Sequence, residues 1–254
     1  MSKSTLVFAN WKMYLNIAES EKLAADLTKK AKSFPRGLSV AVFPSALAFA
    51  AVKNALAKSK IAVGAQNAYW VDKGGYTGEV SAEMFKQAGA EYVLVGHSER
   101  RHVFNESNHD VRQKLEAVLA AKITPVLCVG ETREERDDGR TEEVLEIQLR
   151  SALDNLRLNG KKEIIIAYEP VWAIGTGEAC SAAEAGKAQA YVAKLVKTIL
   201  PSAEIKILYG GSVREKNVGG FLNQPHCDGL LVGGASAKLA SLLAILDEAT
   251  SFTA

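Results

Sequence analysis

The chain has 254 residues, 48% of them apolar and 24% charged, a globular composition that excludes disordered and collagen-like classes. Thirty-one Lys and Arg against 29 Asp and Glu leave a formal net charge of +2, with no basic block of the kind that grips nucleic acid. Cys128, Cys180 and Cys227 form no Cys-x-x-Cys pair, so reduced thiols in the cytoplasm are expected, and neither a disulfide framework nor a zinc site.

The first residues run into a short apolar segment that lacks the longer apolar stretch and small-residue cleavage site of a signal peptide. The most apolar long window, residues 38–52, is broken by Ser39, Pro44 and Ser45 and falls short of the roughly 20 residues that span a bilayer. Neither export nor membrane insertion is expected.

Strands and helices alternate along the whole chain. Strands are predicted at residues 5–10, 39–43, 61–66, 92–96, 125–129, 163–168, 205–209 and 229–232, from β-branched runs that end in polar residues or glycine. Apolar residues at three- and four-residue spacing predict helices at 18–33, 46–58, 107–121, 141–158, 182–200 and 237–249. Ser107 followed by Asp110 reads as a helix cap, and Pro201 as a stop. The charged run of residues 131–140 reads as a solvated helical turn or loop.

Unbroken apolar runs such as Ile164-Ile165-Ile166 and Leu230-Leu231-Val232 are those of parallel strands covered on both faces. Eight strand–helix units without a linker predict one closed (β/α)8 barrel domain over residues 1–254, at about 30 residues per unit. An open doubly wound sheet shares the alternation. Its nucleotide fingerprint is missing, since Gly175-Thr176-Gly177-Glu178-Ala179-Cys180 lacks a third glycine and no P-loop motif occurs.

In a parallel barrel the chemistry gathers where strands end. Here the endings are Asn10-Trp11-Lys12, Gln66-Asn67, His97-Ser98-Glu99-Arg100, Glu169-Pro170, Gly210-Gly211-Ser212 and Gly233-Gly234-Ala235-Ser236. Two glycine pairs before helices expose peptide N–H groups that suit a phosphate, although such pairs also make plain tight turns. Glu169, between an apolar strand and Pro170, has the setting of a partly desolvated base. His97 opens a helix, where the dipole disfavours an imidazolium and leaves a neutral hydrogen-bond donor. Lys12 reads as a fixed cation or as a Schiff-base amine. Pro170, Val171, Trp172, Ala173, Ile174, Gly175, Thr176 and Gly177 are apolar yet glycine-punctuated, the composition of a lid that excludes water.

These motifs, with Tyr76-Thr77-Gly78-Glu79 and Ala167-Tyr168-Glu169-Pro170, resemble the triosephosphate isomerases over nearly the whole chain. The resemblance implies a cofactor-free and metal-free isomerisation of dihydroxyacetone phosphate and glyceraldehyde 3-phosphate through an enediolate, in glycolysis and gluconeogenesis. It implies Glu169 as base, His97 as electrophile, Lys12 and Asn10 as stabilisers of the oxyanion and Glu99 as their support. Phosphate would lie on the N–H groups of Gly175, Ser212, Gly233 and Gly234. The resemblance also implies a homodimer, in which residues 68–78, with Trp70 and Val71 near the tip, insert into the partner so that Thr77 reaches its active site. Asn105 stands where the family commonly has glycine, and Glu178-Ala179-Cys180 departs from its usual lid ending.

Overall fold

The computed structural model describes residues 4–158, 160, 163–174 and 180–253. Strands β1 (Thr5–Asn10), β2 (Leu38–Phe43), β3 (Ala62–Ala65), β4 (Tyr92–Val95), β5 (Thr124–Val129), β6 (Glu163–Tyr168), β7 (Glu204–Tyr209) and β8 (Gly229–Val232) pair in parallel and in chain order, and β8 closes on β1. This is the expected (β/α)8 barrel, with closure deciding against the open sheet. Three of the strands, β1, β6 and β8, have the bounds predicted from sequence.

Among the described residues the helices are α1 (Ile17–Lys30), α2 (Phe49–Ala55), α3 (Ala82–Gln87), α4 (Ser98–His102), α5 (Asn108–Ala120), α6 (Arg133–Asp137), α7 (Thr141–Leu153), α8 (Ala182–Ile199), α9 (Glu215–Leu222) and α10 (Leu239–Thr250). Ser107 caps α5 as expected: Asp110 N–H donates to its Oγ, and the Asp110 carboxylate accepts from Ser107 N–H at 2.9 Å. The Ser107 hydroxyl, donating at 2.7 Å, and then the Ser107 N–H hold the Asp110 carboxyl below its ordinary range. Helix α7 stops short of residue 158 because Asp154 turns to a ψ of 126° and Asn155 takes a left-handed φ of 57°. Helices α3 and α9 were not predicted. Gly219 and Gly220 inside α9 weaken its local helical signal, so packing of Val218, Phe221 and Leu222 decides it.

Side chains alternate across each strand. Leu6 and Phe8 join Phe43, Leu94, Ile165 and Leu208 inside the barrel, while Val7 and Ala9 face the helix layer. Both faces of a strand are therefore apolar, which is why the strands read as continuous runs. The polar strand endings are left to converge on one rim. Among the described residues no helix is long and apolar enough to cross a membrane.

Candidate active site

Glu169 directly follows β6; its backbone N–H donates to Val129 O at 2.8 Å, and the residue is 1% exposed. Two glycines make room for it. A Cβ at Gly210 would stand 2.7 Å from Glu169 Cγ, and one at Gly130 would overlap the Glu169 carbonyl. Glu169 Oε2 accepts from the Ser98 backbone N–H at 2.8 Å. Oε1 is buried with no hydrogen-bond partner among the described residues, and His97 Nε2 lies 3.3 Å away. A desolvated carboxylate with one unclaimed oxygen is equipped to take a proton.

His97 is the cap of α4, and its Nδ1 accepts from the Glu99 N–H at 3.2 Å. An accepting Nδ1 carries no proton, so the ring is neutral with its hydrogen on Nε2, the nitrogen facing Glu169.

Lys12 leaves β1 in the left-handed region, at a φ of 48°, a conformation that neighbouring bonds must hold in place. Its N–H donates to Asn10 Oδ1 at 3.1 Å, and its carbonyl accepts from Gln66 Nε2 at 2.8 Å. Gln66 Nε2 also donates to Phe43 O at 2.8 Å, which ties the Lys12 loop to the end of β2. The Lys12 ammonium so placed meets Glu99 Oε1 at 2.6 Å.

Asn10, Lys12, His97, Glu99 and Glu169 border one cavity of about 360 Å³, whose other walls include Ser212, Gly233 and Gly234. Among the described residues the N–H groups of Ser212 and Gly233 donate to no main-chain carbonyl. Gly234 opens a 3-10 turn, Gly234–Ala237, whose first N–H has no partner within the turn. Converging peptide N–H groups of this kind bind anions. The cavity therefore joins a desolvated carboxylate, a neutral imidazole, a fixed ammonium and an anion cradle. No cluster of His, Cys, Asp or Glu among the described residues is arranged to hold a metal ion.

Residues 5–249 match the family model described as triosephosphate isomerase. The chain belongs to the triosephosphate isomerase family. It is 43% identical over 243 residues to the triosephosphate isomerase of Syntrophotalea carbinolica, covering 94% of this chain and 96% of that one. The triosephosphate isomerases of Dehalococcoides mccartyi (strain CBDB1) and Alkaliphilus metalliredigens are 42% and 39% identical, over 97% and 96% of this chain and 97% and 99% of theirs.

The lid implied by the resemblance to triosephosphate isomerases is described in part. Val171, Trp172 and Ala173 form a 3-10 turn after Pro170, and Ile174 reaches the cavity; Gly175, Thr176 and Gly177 lie outside the described residues, as do Glu178 and Ala179. Trp172 is buried, its Nε1–H donating to Glu131 Oε1 at 2.8 Å and its ring 3.7 Å from the Arg136 guanidinium. This corrects the solvated reading of residues 131–140 at its first residue only, since residues 133–137 form the helical turn α6 and residues 137–140 are exposed, as expected. Glu131 is 1% exposed and also accepts from the Tyr168 hydroxyl at 3.1 Å, and burial pushes its carboxyl above the ordinary range.

The residues expected at a subunit contact of a triosephosphate isomerase dimer differ in exposure. Trp70 stacks on Tyr69 with ring centroids 4.1 Å apart, next to the bridge from Tyr69 to Ser81. Trp70 and Val71 are thus half-buried at the base of the loop, not near its tip, whereas Thr77 lies in the exposed stretch of residues 72–79. Aromatic stacking outweighs exposure for Trp70. Asn105, in place of the family's common glycine, keeps a left-handed φ of 56°, which asparagine tolerates better than most side chains. His102, His109 and His226 are exposed, away from the cavity.

Sequence reasoning gave no role to Gln66, Tyr14, Arg214 or Glu131. Gln66 stood in a recognised motif, but only barrel closure shows that its amide spans the ends of β1 and β2. Tyr14 and Arg214 both border the cavity, and a Cβ at Gly234 would lie 3.3 Å from the Tyr14 ring. No local pattern brings residue 14 against residue 234.

Proposed function

We propose that the chain interconverts dihydroxyacetone phosphate and D-glyceraldehyde 3-phosphate through a cis-enediolate, a step of glycolysis and gluconeogenesis that needs no cofactor or metal. The observation that carries this reading is the 3.3 Å approach of His97 Nε2 to Glu169 Oε1 at a cavity also bordered by Lys12. Glu169 takes a proton from the carbon beside the carbonyl, the electron pair of that C–H bond becomes the enediolate, and the proton returns to the neighbouring carbon. The Nε2–H of His97 polarises the carbonyl and carries protons between the two oxygens. Lys12 and Asn10 stabilise the negative charge as it grows, with Glu99 holding Lys12 at 2.6 Å. That ammonium–carboxylate contact supports Lys12 as a fixed cation over Lys12 as a Schiff-base amine.

The phosphate is read onto the N–H groups of Ser212, Gly233, Gly234 and, in the lid, Gly175. The lid, Pro170 to Gly177, excludes water, which strengthens the hydrogen bonds to the oxyanion. A coupled assay of glyceraldehyde 3-phosphate turnover, with and without a phosphate-bearing hydroxamate, tests the reading. Turnover blocked competitively by the hydroxamate is expected; absence of turnover by pure, folded protein overturns it.

The working unit is proposed to be a homodimer in which the loop carrying Thr77, flanked by Trp70 and Val71, docks against the partner. A second cavity of about 360 Å³ supports this, because it shares Asn10, Lys12, His97 and Glu99 with the first and is bordered by Met13 and Phe104, which are 94% and 65% exposed. Sedimentation equilibrium should give about twice the chain mass of 27.2 kDa, and Thr77→Arg should yield a monomer of low kcat. A monomeric parent would refute it. The cytoplasm is the proposed setting, which the free thiols of Cys128, Cys180 and Cys227 suit.

A further inference from the structure

Arg214 precedes α9 and borders the active-site cavity. The other charged side chains of that lining are Lys12, Glu99 and Glu169. Lys12 is engaged by Glu99 at 2.6 Å, so without Arg214 the lining sets one ammonium against two carboxylates. Such a balance of side-chain charges gives a phosphate ester no net attraction beyond that of the peptide N–H groups. Arg214 forms no ion pair with any carboxylate among the described residues, so its charge is free to act on what enters.

Its backbone is also fixed. Asn217 Oδ1 accepts from the Arg214 N–H at 2.8 Å while Asn217 Nδ2 donates to Ser212 O at 3.0 Å. The same side chain thus anchors Arg214 and the residue whose N–H belongs to the anion cradle. A guanidinium is weakly hydrated and presents a fork of donors matched to phosphate oxygens.

We infer that Arg214 is a phosphate-recognition residue: its guanidinium draws the substrate phosphate toward the Ser212 and Gly233 amides and contacts it there. This rests on the proposed function, and adds a side chain to a site otherwise built from peptide groups. Binding that persists unchanged into the transition state appears in KM more than in kcat.

The test compares the parent with Arg214→Ala and Arg214→Lys, using inorganic phosphate as competitive inhibitor and glyceraldehyde 3-phosphate as substrate. For Arg214→Ala, phosphate inhibition should weaken about 5- to 10-fold and kcat/KM at low salt should fall similarly, narrowing to about 2-fold near 0.5 M salt as screening takes over. Arg214→Lys should recover most of the low-salt kcat/KM but only part of the phosphate affinity. Parent-like phosphate inhibition and salt dependence in Arg214→Ala would overturn the inference. If the parent turned over no triose phosphate, the proposed function would fail, and calorimetric titration of inorganic phosphate into parent and Arg214→Ala would still decide the role of Arg214.

Discussion

The backbone N–H groups of Ser98 and Glu99, consecutive in the first turn of α4, donate to Glu169 Oε2 at 2.8 Å and to His97 Nδ1 at 3.2 Å. One helix start therefore orients the proposed base and sets the tautomer of the proposed electrophile. Helix termini supply such unpaired donors without any added group.

Nitrogen-15 spectra of the folded protein at neutral pH should show His97 hydrogen-bearing at Nε2 and bare at Nδ1. A proton on Nδ1 would contradict the hydrogen bond from Glu99, and a bare Nε2 would remove the donor aimed at the substrate carbonyl.

Shortening Glu169 to aspartate withdraws the carboxylate by about 1 Å, and misplacement of that size should lower kcat on the order of 10²-fold. The thermal midpoint should move little, since Ser98 N–H is left on a small cavity that water can fill. A variant with parent-like kcat would exclude Glu169 as the base.

Gln66→Leu leaves the Lys12 carbonyl without its amide donor, while the Phe43 carbonyl keeps the Trp11 N–H at 3.1 Å. An unsatisfied group costs about 1–3 kcal/mol when buried, so the denaturant midpoint should drop and kcat should fall with it as the left-handed Lys12 turn relaxes. Loss of stability with full kcat would mean that Lys12 is held by Asn10 and Glu99 alone.

Burial lifts the Glu131 carboxyl above its ordinary 4.5. Between that value and the raised one the folded chain keeps a proton that the unfolded chain has released, so stability from this group is complete below 4.5 and is lost as pH rises through the folded value. Thermal midpoints measured upward from pH 4.5 should therefore decline less steeply in Glu131→Gln than in the parent. Superimposable pH profiles would show that Glu131 does not titrate in this window.

Cys128, Cys180 and Cys227 are all buried, and burial pushes the Cys180 thiol up to about 12. Thiolate is the reactive form, so a disulfide reagent at pH 8 should label all three cysteines at the rate of unfolding. Fast labelling of Cys180 in folded protein would place its thiol in reach of solvent and overturn this expectation.

The strand rhythm was legible because a barrel strand is apolar on both faces, and runs such as Ile164-Ile165-Ile166 announce that locally. The cap at Ser107 was legible for the same reason, since its partner Asp110 is three residues away. Helix α9, with two glycines, carries no such local preference and exists because Val218, Phe221 and Leu222 find a core. The burial of Glu131 was hidden because its partners, Tyr168 and Trp172, lie 37 and 41 residues away.

The sequence was enough to establish eight strands and six of the helices and, with the resemblance to the triosephosphate isomerases, to nominate Asn10, Lys12, His97, Glu99, Glu169, Ser212, Gly233 and Gly234, since each ends or follows a strand and strand ends of a parallel barrel share one rim. Closure of the ring decided the rest: which carboxylate oxygen is left unclaimed, which imidazole nitrogen carries the hydrogen, that Gln66 braces Lys12, and that Arg214 and Tyr14 meet the same cavity. Those are distances between residues far apart in the chain, and periodicity, which reports only what neighbours within a few positions prefer, carries no information about them.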